Sequence, residues 1–115
     1  MGAPTIYHNP KCSKSRETLA LLKHRGLAPR IVEYLKTPPS AAELAQIVKQ
    51  LGIAPEALVR KGEDVYTSKY AGRTLSDAEL IAAMVADPVL IERPIVVANG
   101  RAAIGRPPER VLEIL

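Results

Sequence analysis

The chain's single cysteine, Cys12, stands in the segment Tyr7-His8-Asn9-Pro10-Lys11-Cys12-Ser13-Lys14-Ser15-Arg16, among a histidine, hydroxyls and basic side chains. A thiol becomes a strong nucleophile only when ionised, and nearby cations, hydrogen-bond donors and a helix N-terminus all favour the thiolate. The same features attract oxyanions. His8, Lys11, Lys14 and Arg16 are expected to add positive charge at this turn, and Ser15 to donate a hydrogen bond to the sulfur. Together these residues predict a nucleophilic Cys12 acting on a bound oxyanion; the competing reading is an inert buried thiol, which the polar surroundings disfavour. For His8 the sequence leaves two readings open, a packed or solvated side chain and a group serving the thiol. His24, late in a helix between Lys23 and Arg25, suits the C-terminal end of the dipole and needs no chemistry.

One cysteine excludes an internal disulfide, and with two histidines it cannot build a four-ligand zinc site, so neither a metal nor a bound cofactor is expected. A chain with no second thiol also cannot resolve a sulfur-linked intermediate alone and must draw on an external thiol. The balance of 16 Lys+Arg against 12 Asp+Glu gives +4, which favours a small anionic ligand over nucleic acid. Four Tyr with no Phe or Trp leave little for base stacking. Apolar runs such as Ile95 to Ala98 are too short for a membrane span, no signal-peptide pattern opens the chain, and Met1-Gly2 is followed by Ile6 where a myristoylation motif requires Ser or Thr. A soluble, cytoplasmic protein without nucleic-acid or membrane partners is expected.

The elements that position Cys12 follow from hydrophobic spacing. Thr5-Ile6-Tyr7 reads as a strand broken at Asn9-Pro10, then Thr18, Leu19, Leu21 and Leu22 mark the apolar side of a helix ending near Gly26. Arg30 to Tyr34 reads as a second strand, completing a βαβ unit. Ser40 with Glu43, and Ser76 with Glu79, have the spacing of capping boxes that open helices, and residues 53–75 read as short helical turns and polar loops. The segment from about 40 to 91 is therefore a helical insertion within one domain spanning 1–115. Asn99-Gly100 between Ile95–Ala98 and Arg101–Ile104 is a hairpin signal, and Glu109 to Leu115 reads as a closing amphipathic helix after Pro107-Pro108. The order βαβ, helices, ββα predicts an α/β, thioredoxin-like fold, a mixed sheet with helices on both faces.

The hairpin places two further residues. A two-residue turn sets Ala98 opposite Arg101, and counting back along both strands brings Arg93 opposite Arg106. Like charges side by side are unfavourable unless solvent screens them or an anion lies between them, so the register permits an oxyanion clamp without requiring one. A thioredoxin-like fold would make the Arg93–Pro94 peptide cis.

These segments, with Leu58-Val59-Arg60, Glu92-Arg93-Pro94-Ile95-Val96-Val97 and Gly105-Arg106-Pro107, resemble the glutaredoxin-coupled arsenate reductase family over nearly the whole chain. The resemblance implies that Cys12 is the nucleophile, that Arg60, Arg93 and Arg106 bind arsenate and its arsenic intermediates, and that His8 helps keep the thiol ionised. Arg60 carries no local signal of its own and enters through the resemblance alone. It further implies glutathione as co-substrate and glutaredoxin as the partner that clears a Cys12 mixed disulfide.

Three other readings compete. The tyrosine-phosphatase loop needs an arginine six positions after the cysteine, where this chain has Thr18. A monothiol glutaredoxin-like transferase fits Cys12-Ser13-Lys14-Ser15 but gives Arg93 and Arg106 no purpose. A thiol-dependent regulator that binds RNA polymerase would need a Cys-x-x-Cys switch, and Ser15 stands at the second cysteine's position.

Overall fold

The computed structural model describes residues 3–115; Met1 and Gly2, with the myristoylation question they raise, lie outside the described residues. The chain divides into two compact units, the residues up to Thr37 with Arg93–Leu115, and Pro38–Glu92.

In the first unit, β1 (Thr5–His8), α1 (Ser13–His24) and β2 (Arg30–Glu33) form the βαβ arrangement, with β1 and β2 parallel. The strand pattern explains which side chains turn inward: along β1 alternate residues Ile6 and His8 are buried. On α1 the buried residues are Ser15, Thr18 and Leu22, so the helix's inner face begins polar and ends apolar. β2 stops one residue short of the expected Tyr34, whose side chain is nonetheless buried.

β3 (Ile95–Ala98) runs antiparallel to β1, and β4 (Arg101–Ile104) antiparallel to β3, giving the four-stranded order β2-β1-β3-β4. The hairpin has the expected register, Ala98 with Arg101 through Ile95 with Ile104. Asn99 and Gly100 take φ of 55° and 73°, the left-handed pair that a type I′ turn requires and that these residue types tolerate. Asn99 Nδ2 also donates to Ile114 O at 2.9 Å, tying the turn to the final segment.

That segment departs from expectation. It is a 3-10 helix, Pro108–Ile114, and not an α-helix over 109–115. Its buried residues Pro108, Val111 and Ile114 recur every third position, and three residues per turn aligns such a stripe on one side. Val111 and Ile114 join Ile6, Leu22 and Val96 in the core of this unit. Each such aliphatic side chain removed from water stabilises the fold by roughly 1.5–3 kcal/mol.

The second unit holds α2 (Ala41–Leu51), α3 (Asp64–Lys69), α4 (Asp77–Ala86) and 3-10 turns at Pro55–Leu58 and Pro88–Leu90. Both capping boxes form reciprocally: the serine hydroxyl accepts from the Glu43 or Glu79 N–H while the glutamate accepts from the serine N–H. Leu44, Ile47 and Val48 of α2, Leu80, Ala83 and Met84 of α4, and Leu58 and Leu90 are buried. An antiparallel bridge pairs Val59 with Ile91. Among the described residues no helix is long and apolar enough to cross a membrane.

Candidate active site

The site in the first unit is built where β1 hands over to α1. Cys12 is the N-cap of α1, with extended φ and ψ of −96° and 123°. Its N–H donates to Asn9 O and its own carbonyl accepts from Arg16 N, both at 3.0 Å. Asn9 organises the turn between them: its Oδ1 accepts from Lys11 N at 3.0 Å, an Asx-type turn, and its N–H donates to Ser15 Oγ at 3.0 Å. The sulfur therefore sits before a helix whose first N–H groups have no intrahelical acceptor.

Only 7% of Cys12 is exposed. Burial alone pushes the thiol's pKa up, but the main-chain N–H of Ser15, the charge of Arg93, the N–H of Lys14 and the charge of Arg106 outweigh it, and the thiol is held below its ordinary value. Arg106 Nη2 lies 3.5 Å from Sγ. The cations acting on the sulfur thus come from the base of the hairpin, not from neighbours in sequence. Lys14 instead pairs with Glu17 at 3.5 Å, and Arg16 donates to Pro10 O at 2.9 Å.

His8 is buried, and its Nδ1 lies 2.5 Å from Ser15 Oγ. Burial lowers its pKa; Glu33 opposes that effect, and Lys23 and Arg16 add to it. The expectation that His8 contributes positive charge is corrected accordingly, because desolvation favours the neutral ring. Ser15 Oγ accepts from Asn9 N–H, and its hydroxyl proton can be donated to His8 Nδ1 when the neutral ring carries its proton on Nε2. The Ser15 hydroxyl is therefore engaged by His8 and Asn9, and Ser15 serves the sulfur through its main-chain N–H, where a side-chain bond was expected.

Arg93 and Arg106 are neighbours, as the hairpin register requires: Arg106 Nε donates to Arg93 O at 2.7 Å, and Gly105 N donates to Pro94 O at 2.9 Å. Arg93 buries its Nε and Nη1. The Arg93–Pro94 peptide is cis, as a thioredoxin-like fold implies, and so is Arg106–Pro107, which nothing in the sequence singled out. His8, Cys12, Ser15, Arg93 and Arg106 thus share one unit. Two guanidinium groups near a thiol with lowered pKa form a setting able to hold a small oxyanion while the sulfur attacks its central atom.

Arg60 belongs to the second unit. The Val59–Ile91 bridge, with Arg60 N donating to Leu90 O at 2.7 Å, sets it beside Glu92, and its guanidinium lies 2.5 Å from Glu63 and 3.7 Å from Glu92. Neither carboxylate was flagged by sequence; the i,i+3 spacing of Arg60 and Glu63 was the available signal. Sequence reasoning also missed the Asn9 turn and the contact of Gly105 with Thr18 and Pro94.

The sheet order, the helix-capping thiol and the cis-proline strand define a thioredoxin-like protein. A solved structure named arsenate reductase from Vibrio cholerae superimposes with a TM-score of 0.94 at 56% identity, covering 97% of each chain. The ArsC family model matches residues 7–114, and the chain belongs to the ArsC family. Among its relatives, the uncharacterized protein YfgD of Escherichia coli K12 is 57% identical over 112 residues, 96% of this chain and 94% of that one. A protein of Haemophilus influenzae named arsenate reductase is 51% identical over 112 residues, 96% of this chain and 97% of that one.

Proposed function

We propose that this protein reduces arsenate to arsenite, with Cys12 as nucleophile and glutathione and glutaredoxin as reductants. The observation that carries the reading is the buried, helix-capping thiol with Arg106 Nη2 at 3.5 Å and Arg93 acting on it, in a member of the ArsC family. Arg93 and Arg106 bind the oxyanion and disperse its charge as the sulfur attacks. The N–H groups of Lys14 and Ser15 hold the thiolate. His8 fixes Ser15 as a neutral partner. Arg60 enters as a further arsenate ligand through the family resemblance.

The chemistry balances with external thiols. The Cys12 thiolate forms a sulfur–arsenic bond and one arsenate oxygen leaves as water. Glutathione then adds to arsenic, displacing a second oxygen as water. The two sulfurs leave together as a Cys12–glutathione disulfide, the electron pair stays on arsenic, and water returns the lost oxygen to give arsenite. Glutaredoxin removes the glutathione and restores the Cys12 thiol. Overall, one arsenate and two thiols become one arsenite, one disulfide and one water. Such a reaction belongs in the cytoplasm, where glutathione is reduced.

The test is purified protein with arsenate, glutathione, glutaredoxin and NADPH-linked recycling. Arsenate is consumed by the wild type and not by Cys12→Ser. Replacing glutaredoxin with thioredoxin abolishes turnover if the reductant is as proposed. A folded wild-type protein that consumes no arsenate with either reductant contradicts the proposal.

A further inference from the structure

Gly105 follows β4 directly, next to Arg106, and is buried. A Cβ added there would collide with Thr18 Oγ1, and would come within 2.9 Å of Pro94 Cγ and 3.2 Å of Thr18 Cγ2. The residue is needed for space. Thr18 is itself fully buried, and its Oγ1 donates to Lys14 O at 2.8 Å, so its side chain has no free volume into which to retreat. Three segments therefore pack closely here: α1 through Thr18, the residue before β3, Pro94, and the residue after β4, Gly105.

This junction joins the two halves of the site. Thr18 lies on the same buried face of α1 as Ser15, one turn after the residues whose N–H groups face the sulfur. Gly105 and Pro94 are the immediate neighbours of Arg106 and Arg93, and Gly105 N to Pro94 O is the bond that closes the hairpin's base. A wider junction would move the thiol and the arginines apart, since neither element can tilt without breaking the contact.

We propose that Gly105 is a positioning residue: its missing side chain lets Thr18 and Pro94 close on the end of β4, and that closure sets the separation between Cys12 Sγ and the guanidinium of Arg106. The assignment deepens the reading of Cys12 as a nucleophile and rests on it. It is independent of which oxyanion the protein reduces. The groups that face the sulfur are the charges of Arg93 and Arg106 and the N–H groups of Lys14 and Ser15. Of these, the arginines are the ones Gly105 moves.

The experiment reads the Cys12 thiol directly, without arsenate, by the pH dependence of alkylation with iodoacetamide. Gly105→Ala raises the thiol pKa by about half a unit to one unit and moves the pH dependence of alkylation up by the same amount, in protein whose circular dichroism matches the wild type. Adding Thr18→Ala to that variant removes Oγ1 and Cγ2, leaves only the approach to Pro94 Cγ, and returns the pKa part of the way to the wild-type value. Where Gly105→Ala alone does not fold, Thr18→Val compared with Thr18→Ala carries the test. Both lose the bond to Lys14 O, but only valine sets a methyl group against Gly105, so the thiol pKa is higher in Thr18→Val. An unchanged thiol pKa in folded Gly105→Ala, a rise that Thr18→Ala fails to lessen, or equal values in the two Thr18 variants overturns the proposal. A wild-type protein that turns over no arsenate, with the thiol behaving as expected in the variants, would instead count against the arsenate reading and leave this assignment standing.

Discussion

At Cys12, charge reaches the sulfur from far along the chain: Arg93 and Arg106 flank the two hairpin strands at their open end, while the adjacent Lys14 and Arg16 are occupied by Glu17 and the Pro10 carbonyl. At Arg60 the surroundings have the opposite sign, and the guanidinium is already held by Glu63 and Glu92. One region presents positive charge to a group that becomes negative. The other presents a cation whose charge carboxylates have largely answered. An anion entering the first adds a partner, whereas an anion approaching Arg60 must compete with carboxylates already in place.

Substitutions sharpen this contrast unequally. Cys12→Ser has the largest effect, a loss of arsenate turnover of at least about 10³-fold with the fold retained, measured by the coupled assay. Arg106→Ala and Arg93→Ala come next. Each raises the thiol pKa by roughly one unit and lowers kcat/KM by about 10²-fold, as titration and steady-state kinetics will show. If neither moves the thiol, the charge at Cys12 does not come from the hairpin.

A third outcome concerns His8. Its pKa is lowered from 6.5 by burial, so folding favours the neutral ring. The stability gained is complete above pH 6.5 and is lost as the pH falls through the lower, folded-state value. Urea unfolding of the wild type and of His8→Gln across that interval measures this, with the wild type losing more stability on acidification. The smallest effect is at Arg60. Glu63→Gln changes stability by less than about 1 kcal/mol and lowers the KM for arsenate about two-fold by removing a competitor. A rise in KM would mean that Glu63 aims Arg60 and does not compete for it.

The two regions also differ in how far their sequence discloses them. The Cys12 turn was legible because its cause is local: Asn9-Pro10 ends a strand, an apolar period begins at Thr18, and the thiol falls between them. The Arg93 and Arg106 pair was legible because Asn99-Gly100 fixes a register that can be counted. What failed was side-chain allegiance. Lys14, Arg16 and Ser15 lie beside Cys12 in sequence, yet their side chains turn to Glu17, Pro10 and His8, since helical geometry sends successive residues in different directions. His8 was expected to be charged because its burial depends on strand alternation combined with α1 covering that face. Arg60 stayed opaque for a different reason: the bridge that sets it beside Glu92 joins Val59 to Ile91, and no periodicity announces a single isolated bridge. The final 3-10 helix was readable in principle, from the three-residue spacing of Pro108, Val111 and Ile114.

Helix N–H groups and the hairpin arginines together favour the thiolate of Cys12. The most direct test is a pH titration of thiolate ultraviolet absorbance in the wild-type protein, where Cys12 is the only thiol. The midpoint is expected below that of free cysteine, about 8.5, with a return toward that value in Arg106→Ala. A wild-type midpoint at or above that of free cysteine would contradict it.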